Sequence, residues 1–245
     1  MLMDWYTIRK HFHFSSDEIR DIIVTVVFLG FMFSFREWGV GEKFSFSTGV
    51  FNWINSALVV LLALLVYLSC QRIIGIRKGY KTEYKMWFWG LLIAIVITFA
   101  TKGWFVPAFL GTVMIYHMEG HRLGSFRYGL NYKDLGIISL TGPLAMIILA
   151  LIFKIITFAS ASPMIHKAMI VCMLIACVNM LPLPWIDGGN VFFGSRLLWV
   201  FSFVGIIAAA ALMYFIASVW GIIFGALAVA VLASVIWFVF FEEGF

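Results

Sequence analysis

Few side chains in these 245 residues are placed to do chemistry. The first suggestive stretch is Asn179 to Gly189, NMLPLPWIDGG, where an apolar run ends at Pro-x-Pro and an Asp-Gly-Gly turn follows. A carboxylate at membrane depth is costly and is a functional candidate by default. The plain alternative is a loop at headgroup level in which Asp187 caps the next helix. The second stretch is His117-Met-Glu-Gly-His121. Histidines four apart suit a helix that binds zinc. Glu119, however, stands about 200° around such a helix from the histidines, and Gly120 and Gly124 follow at once. On a turn the same histidines are simply solvated. Cys70, Cys172 and Cys177 lie in or beside apolar runs without paired metal-ligand spacing, and read as buried thiols. Asn52 and Asn55 read as caps at the start of a helix.

The elements that must position these groups are membrane elements. The chain is 63% hydrophobic and 12% charged, with a mean hydropathy of +1.03. A soluble domain is about 45–50% apolar and about 25% charged. A water-soluble fold, a disordered chain, a coiled coil and a secreted disulfide scaffold are excluded together. The charges punctuate apolar runs instead of clustering, so no nucleic-acid partner is expected; the lipid bilayer is. The segment Met1 to Arg20 carries Asp4, Asp17 and Glu18 and no small-residue cleavage site, so it does not read as a signal peptide.

A helical span needs about 20 mostly apolar residues. Candidate runs lie near 19–35, 53–71, 86–101, 104–118, 135–159, 164–181, 197–217 and 219–241. The third and fourth are short and meet at Lys102, Gly103 and Pro107, as two tilted spans or one re-entrant hairpin. The expected fold is an all-α polytopic membrane protein with six to eight transmembrane segments and a small membrane-associated β-strand or hairpin region. It forms one integral domain over 1–245: a first span and external loop at 19–52, a core at 53–200, and C-terminal helices at 201–245. This threading puts twelve of the Lys and Arg residues on the side of the N-terminus and five (Arg36, Lys43, Lys102, Lys154 and Lys167) on the other. The positive-inside rule then makes the first side cytoplasmic, with both termini on it, in a multi-pass protein of the cell membrane. Tyr80 to Trp87, YKTEYKMW, alternates with period two and reads as a strand. The stretch 111–140 has a polar centre flanked by VMIY and GIISL, which predicts a β-hairpin at the cytoplasmic surface.

The pattern N-x-x-P-x-x-x-x-D-G at Asn179–Gly188 resembles a signature of the site-2 protease family of intramembrane zinc metalloproteases. Thr141–Ala145, TGPLA, is similar to that family's G-P-L-x-N segment, with Met146 in place of the final Asn. The resemblance covers roughly 53–200. It implies a three-helix membrane core, with a β-strand region that clamps an extended substrate. It also implies that Asp187 is a zinc ligand and that Asn179 contacts substrate or transition state.

The family's H-E-x-x-H, which supplies two zinc ligands and the general base, has two candidate positions. One is His117/His121 with Glu119, where the glutamate stands at the wrong offset. The other places the motif on the helix before Arg72–Trp87, RIIGIRKGYKTEYKMW, which resembles the helix end and strand of archaeal members. Counting back, Tyr67, Leu68 and Gln71 replace the first histidine, the glutamate and the second histidine. The second alignment is preferred, because the 53–71 and 164–181 helices then bring Tyr67, Gln71 and Asp187 to one depth. Asp187 is the only ligand position it retains, no catalytic residue remains, and no cofactor is expected.

The function expected is a pseudoprotease that binds a transmembrane peptide or a membrane-protein partner. The strand supplies Glu83, Tyr84, Lys85 and Met86 as the pairing edge, with Asn179 beside it. One alternative is an active zinc metalloprotease using His117, His121 and Asp187. Another is a small-solute transporter, which the near absence of mid-span charges disfavours.

Overall fold

The computed structural model describes residues 9, 11–40, 43–117, 131–160 and 162–242. Helix α1 (Ser16–Ser34) opens on a reciprocal cap: Ser15 Oγ accepts the Glu18 N–H, and the Glu18 carboxylate accepts the Ser15 N–H. A small ribbon, β1 (Gly39–Val40) and β2 (Lys43–Phe44), leads into α2 (Phe46–Arg77). Strand β3 (Tyr80–Met86), helix α3 (Phe88–Ala100) and strand β4 (Gly111–His117) follow. The remainder is helical: α4 (Tyr132–Ala159), α5 (Pro163–Asn179), α6 (Asp187–Gly194), α7 (Arg196–Phe215) and α8 (Val219–Trp237), the last continuing into a π-helical turn at Phe238–Glu242.

Four of the apolar runs, now α2, α4, α7 and α8, form helices long and apolar enough to cross a membrane. Helix α1 is long enough but carries acids in its first turn, while α3 and α5 have 13 and 17 residues. Apolar faces of α2, α4 and α5 meet in the buried core with Leu64, Ile138, Met146, Cys172 and Ile175 fully enclosed. Lys154 of α4 donates to the Met213 carbonyl at 2.9 Å. It thereby satisfies one of the last carbonyls of α7, which have no partner within their own helix.

Several expectations need correction. The apolar run 104–118 is not a span. Residues 105–110 are irregular and 111–117 form β4. Pro107 carries no amide donor, and the β-branched Thr112, Val113 and Ile115 favour a strand. Of the expected 111–140 hairpin, residues 118–130 lie outside the described residues, and the two flanks do not pair with each other. Strand β4 pairs antiparallel with β3, from Tyr80↔His117 to Met86↔Gly111. GIISL lies inside α4, where an apolar neighbourhood overrides its β propensity. Finally, Ser45 caps α2, starting it earlier than Asn52, and Asn52 instead donates to the Glu37 carbonyl at 2.8 Å.

Candidate functional site

One turn apart on α2, Tyr67 and Gln71 share a helix face. Helix α6 begins at Asp187, whose side chain makes no cap bond. Its carboxylate turns inward instead. Oδ2 accepts the Tyr67 hydroxyl at 2.7 Å and the Gln71 Nε2 at 2.6 Å. Oδ1 accepts the Thr112 hydroxyl at 3.2 Å and the Val113 N–H at 3.3 Å. Gln71 Nε2 also donates to the Ser139 carbonyl, and Asn190 donates to Thr112 Oγ1 and Ser139 Oγ. The network therefore ties α2, α4, β4 and α6 together. Asp187 and Gln71 are fully buried and Tyr67 nearly so. Burial pushes the Asp187 carboxyl above its ordinary pKa; the bonds from Tyr67, Gln71, Val113 and Thr112 pull it back. Leu68, the third position of the degenerate motif, is buried in the apolar core.

Two glycines explain why the flanking motifs look as they do. A Cβ on Gly142, in TGPLA, would lie 2.5 Å from two ring carbons of Tyr67 and 2.8 Å from Gln71 Nε2. A Cβ on Gly188 would run into the Leu181 carbonyl oxygen and the Met180 backbone. Both positions leave room for a neighbour and for nothing else.

Asn179, the last residue of α5, is fully buried. Its Nδ2 donates to the Ala108 carbonyl at 2.8 Å and the Ile175 carbonyl at 2.9 Å, and its Oδ1 accepts the Leu110 N–H at 3.1 Å. The residue expected beside a guest is thus in contact with the chain's own backbone.

The edge of β3 is taken as well. The Trp87 N–H reaches the Leu110 carbonyl, which sets the alternation of the ladder. Residues 81, 83 and 85 face β4, and residues 82, 84 and 86 face outward. On that outer edge the Tyr84 N–H donates to Glu18 Oε1 at 2.7 Å, and the Met86 N–H to Asp21 Oδ2 at 3.3 Å. The Thr82 carbonyl accepts Arg72 Nη2 at 3.2 Å. Arg72 is also ion-paired with Glu18, hydrogen-bonded to the His13 carbonyl, and stacked on the Phe14 ring at 4.1 Å. The pairing edge expected to be open is closed by α1 and α2. Of the residues expected along it, Tyr84 is buried, with its hydroxyl on Thr25 and the Leu110 carbonyl. Glu83 is ion-paired with Lys81, Lys85 is exposed and Met86 is half-buried.

The Glu18–Asp21–Arg72 cluster escaped sequence reasoning. Its available signal was a pair of acids three apart, on one face of a helix whose first turns also carry Asp17 and Arg20. Thr112, Ser139 and Asn190 carried none.

His117 ends β4 opposite Tyr80; its side chain, Glu119 and His121 lie outside the described residues. Among the described residues no three His, Cys, Asp or Glu side chains come together as a ligand set. Zinc is held by thiolate, imidazole and carboxylate groups. Around Asp187 stand a phenol, an amide and one carboxylate whose oxygens already accept four hydrogen bonds. These residues do not fit zinc.

The chain is similar to a Methanocaldococcus jannaschii protein named "Putative zinc metalloprotease MJ0611". The two are 26% identical over 193 residues, which is 77% of this chain and 90% of that protein. No protein-family model matches the chain. No solved structure matches it.

Proposed function

We propose that this chain is a non-catalytic, site-2-protease-like membrane protein that binds transmembrane segments or other membrane partners without cutting them. The similarity to the Methanocaldococcus jannaschii protein supports the coarse part of that reading, and four membrane-length apolar helices support a place in a bilayer. The charge distribution favours cytoplasmic termini.

The observation that carries the finer part is the buried Asp187 carboxylate, engaged on both oxygens by Tyr67, Gln71, Thr112 and Val113. Structural zinc in a full ligand set is worth about 10–16 kcal/mol. A single carboxylate would have to lose its donors to contribute to such a set. Leu68, at the position aligned with the general base, cannot take a proton. The hydroxyl of Tyr67 and the amide of Gln71 instead hold Asp187 from the side where the resemblance places imidazoles. On this reading the polar network stands where the resemblance places the reagents of a protease.

Metal analysis of protein purified without added zinc tests the proposal, beside His117→Ala and a Tyr67→His/Leu68→Glu/Gln71→His variant. The expected result is a parent without zinc and a triple variant that gains it. Near-stoichiometric zinc in the parent that disappears in His117→Ala would refute the proposal. So would chelator-sensitive cleavage of a transmembrane peptide by the parent.

A further inference from the structure

Arg36 follows the C-terminal end of α1, and Lys102 follows that of α3. The two ends touch: a Cβ on Gly103 would meet Arg36 Cγ at 2.7 Å and Phe35 Cδ1 at 2.8 Å. Both cations are exposed, and among the described residues neither side chain has an ion-pair or hydrogen-bond partner. Glu37, the acid beside Arg36, is engaged by Lys167 at 2.6 Å. The two helix C-termini offset roughly half a charge each. Against two full cations, about one positive charge is left over.

The backbone at Lys102 adds a second, independent sign. Gly103 donates to the Thr98 carbonyl at 2.7 Å and Lys102 to the Phe99 carbonyl at 3.0 Å, which closes α3 in a Schellman motif. That motif puts a left-handed residue just after the helix cap, usually a glycine. Here Lys102 takes the position, with φ at 52°, and no other non-glycine residue among the described residues has a positive φ. The dipole of α3 favours a cation anywhere in its last turn, so it does not require one in a disfavoured conformation. Strain held on a charged side chain is a reason to look for a ligand.

The surroundings identify which ligand. The Trp38 ring lies where a Cβ on Gly49 would stand, and Asn52 donates to the Glu37 carbonyl, so residues 36–38 sit beside the first turns of α2. Helix α2 is one of the four membrane-length helices. Its 32 residues rise about 48 Å, against about 30 Å of hydrocarbon, which carries its ends to headgroup level. Phe44, Phe46, Phe99 and Trp104 are exposed at the same end of the fold, the composition of an interfacial belt.

We propose that Arg36 and Lys102 clamp the phosphate of an anionic phospholipid at this end of α2. The guanidinium fork suits two phosphate oxygens and the ammonium adds a point charge. A zwitterionic lipid fits less well, because its own ammonium would meet unneutralised cations. This site is independent of the partner-binding reading above.

The test titrates the full chain, in neutral detergent at fixed ionic strength, with phosphatidylglycerol, phosphatidylcholine or inorganic phosphate. Native mass spectrometry counts the bound lipid. Arg36→Gln/Lys102→Gln should weaken the tightest phosphatidylglycerol site at least about tenfold, about 1.4 kcal/mol. Arg77→Gln/Lys133→Gln removes two exposed cations at the opposite end of α2, where Lys78 meets Asp134, and should leave that site unchanged. Phosphatidylcholine and inorganic phosphate should not displace phosphatidylglycerol from it. Lys102→Gly removes the strain together with the charge. It should melt no lower than the parent in lipid-free detergent and still lose phosphatidylglycerol affinity, which keeps the test open where the double variant fails to fold. Full affinity in Lys102→Gly, equal losses in the two double variants, equal affinity for the two lipids, or displacement by inorganic phosphate overturns the proposal.

Discussion

Replacing Gly142 by alanine tests whether the TGPLA segment exists to admit the Tyr67 ring. The added Cβ would meet Tyr67 Cε1 and Cζ at 2.5 Å and Gln71 Nε2 at 2.8 Å, all fully enclosed. Overpacking of this kind costs about 1–3 kcal/mol. With about 2–4 °C per kcal/mol for a chain of this size, Gly142→Ala should lower the melting temperature by roughly 2–12 °C. Taken alone, that loss would prove little. In the Tyr67→Ala background the ring is gone, and Gln71 is long enough to move aside. What remains is the intrinsic preference of a helix interior for Ala over Gly, at most about 1 kcal/mol in favour of Ala. The restriction on residues before proline reduces it, since Pro143 follows. The sign of the substitution should therefore reverse, with a coupling of about 1–4 kcal/mol between the two positions. Melting is followed in detergent with a thiol-reactive dye, for which the fully buried Cys172 reports unfolding. Additive effects of the two substitutions would refute the argument, because Gly142 would then matter for something other than Tyr67.

Two further predictions concern charge. Arg72→Met leaves Glu18, 3% exposed, without its cation. It should cost about 3–5 kcal/mol in thermal unfolding, and Glu18→Met in the same chain should recover part of the loss. A single change that costs less than 1 kcal/mol would mean that solvent reaches the pair. Asp187 holds its proton to higher pH in the folded protein than in the unfolded chain. The stability it contributes is complete below the ordinary carboxyl range and is lost as pH rises through the raised value. The melting temperature of the parent relative to Asp187→Asn should accordingly fall as pH is raised through that window. A constant difference would show that the carboxyl titrates normally.

Local pattern made part of this arrangement legible. Period two marked β3, and the family resemblance, counted back from that strand, picked out Tyr67 and Gln71, whose i, i+4 spacing sets them on one helix face. Hydropathy failed at 104–118, because an apolar strand and half an apolar helix have the same average. GIISL was misjudged for a related reason. Its β-branched residues prefer strands in water, whereas a helix inside a bilayer needs only to bury its own backbone bonds. The closure of β3 was out of reach, since Glu18 meets Arg72 and Tyr84 across separations of 54 and 66 residues. No window of sequence holds both sides of those bonds.

Those separations carry a consequence for biosynthesis. Helix α1 leaves the ribosome before the backbone amides that its acids will hold have been made. At about 5–20 residues per second, the wait from Glu18 to Tyr84 lasts roughly 3–13 s. Meanwhile Glu18 and Asp21 have no arginine and no strand, and the bilayer interior is closed to them. Their place in the first turns of α1 keeps both at one end of the helix, where water can satisfy them until the strand is made. Helix α1 is thus made early but seated only late, and its docking is timed by the arrival of residues 72–86.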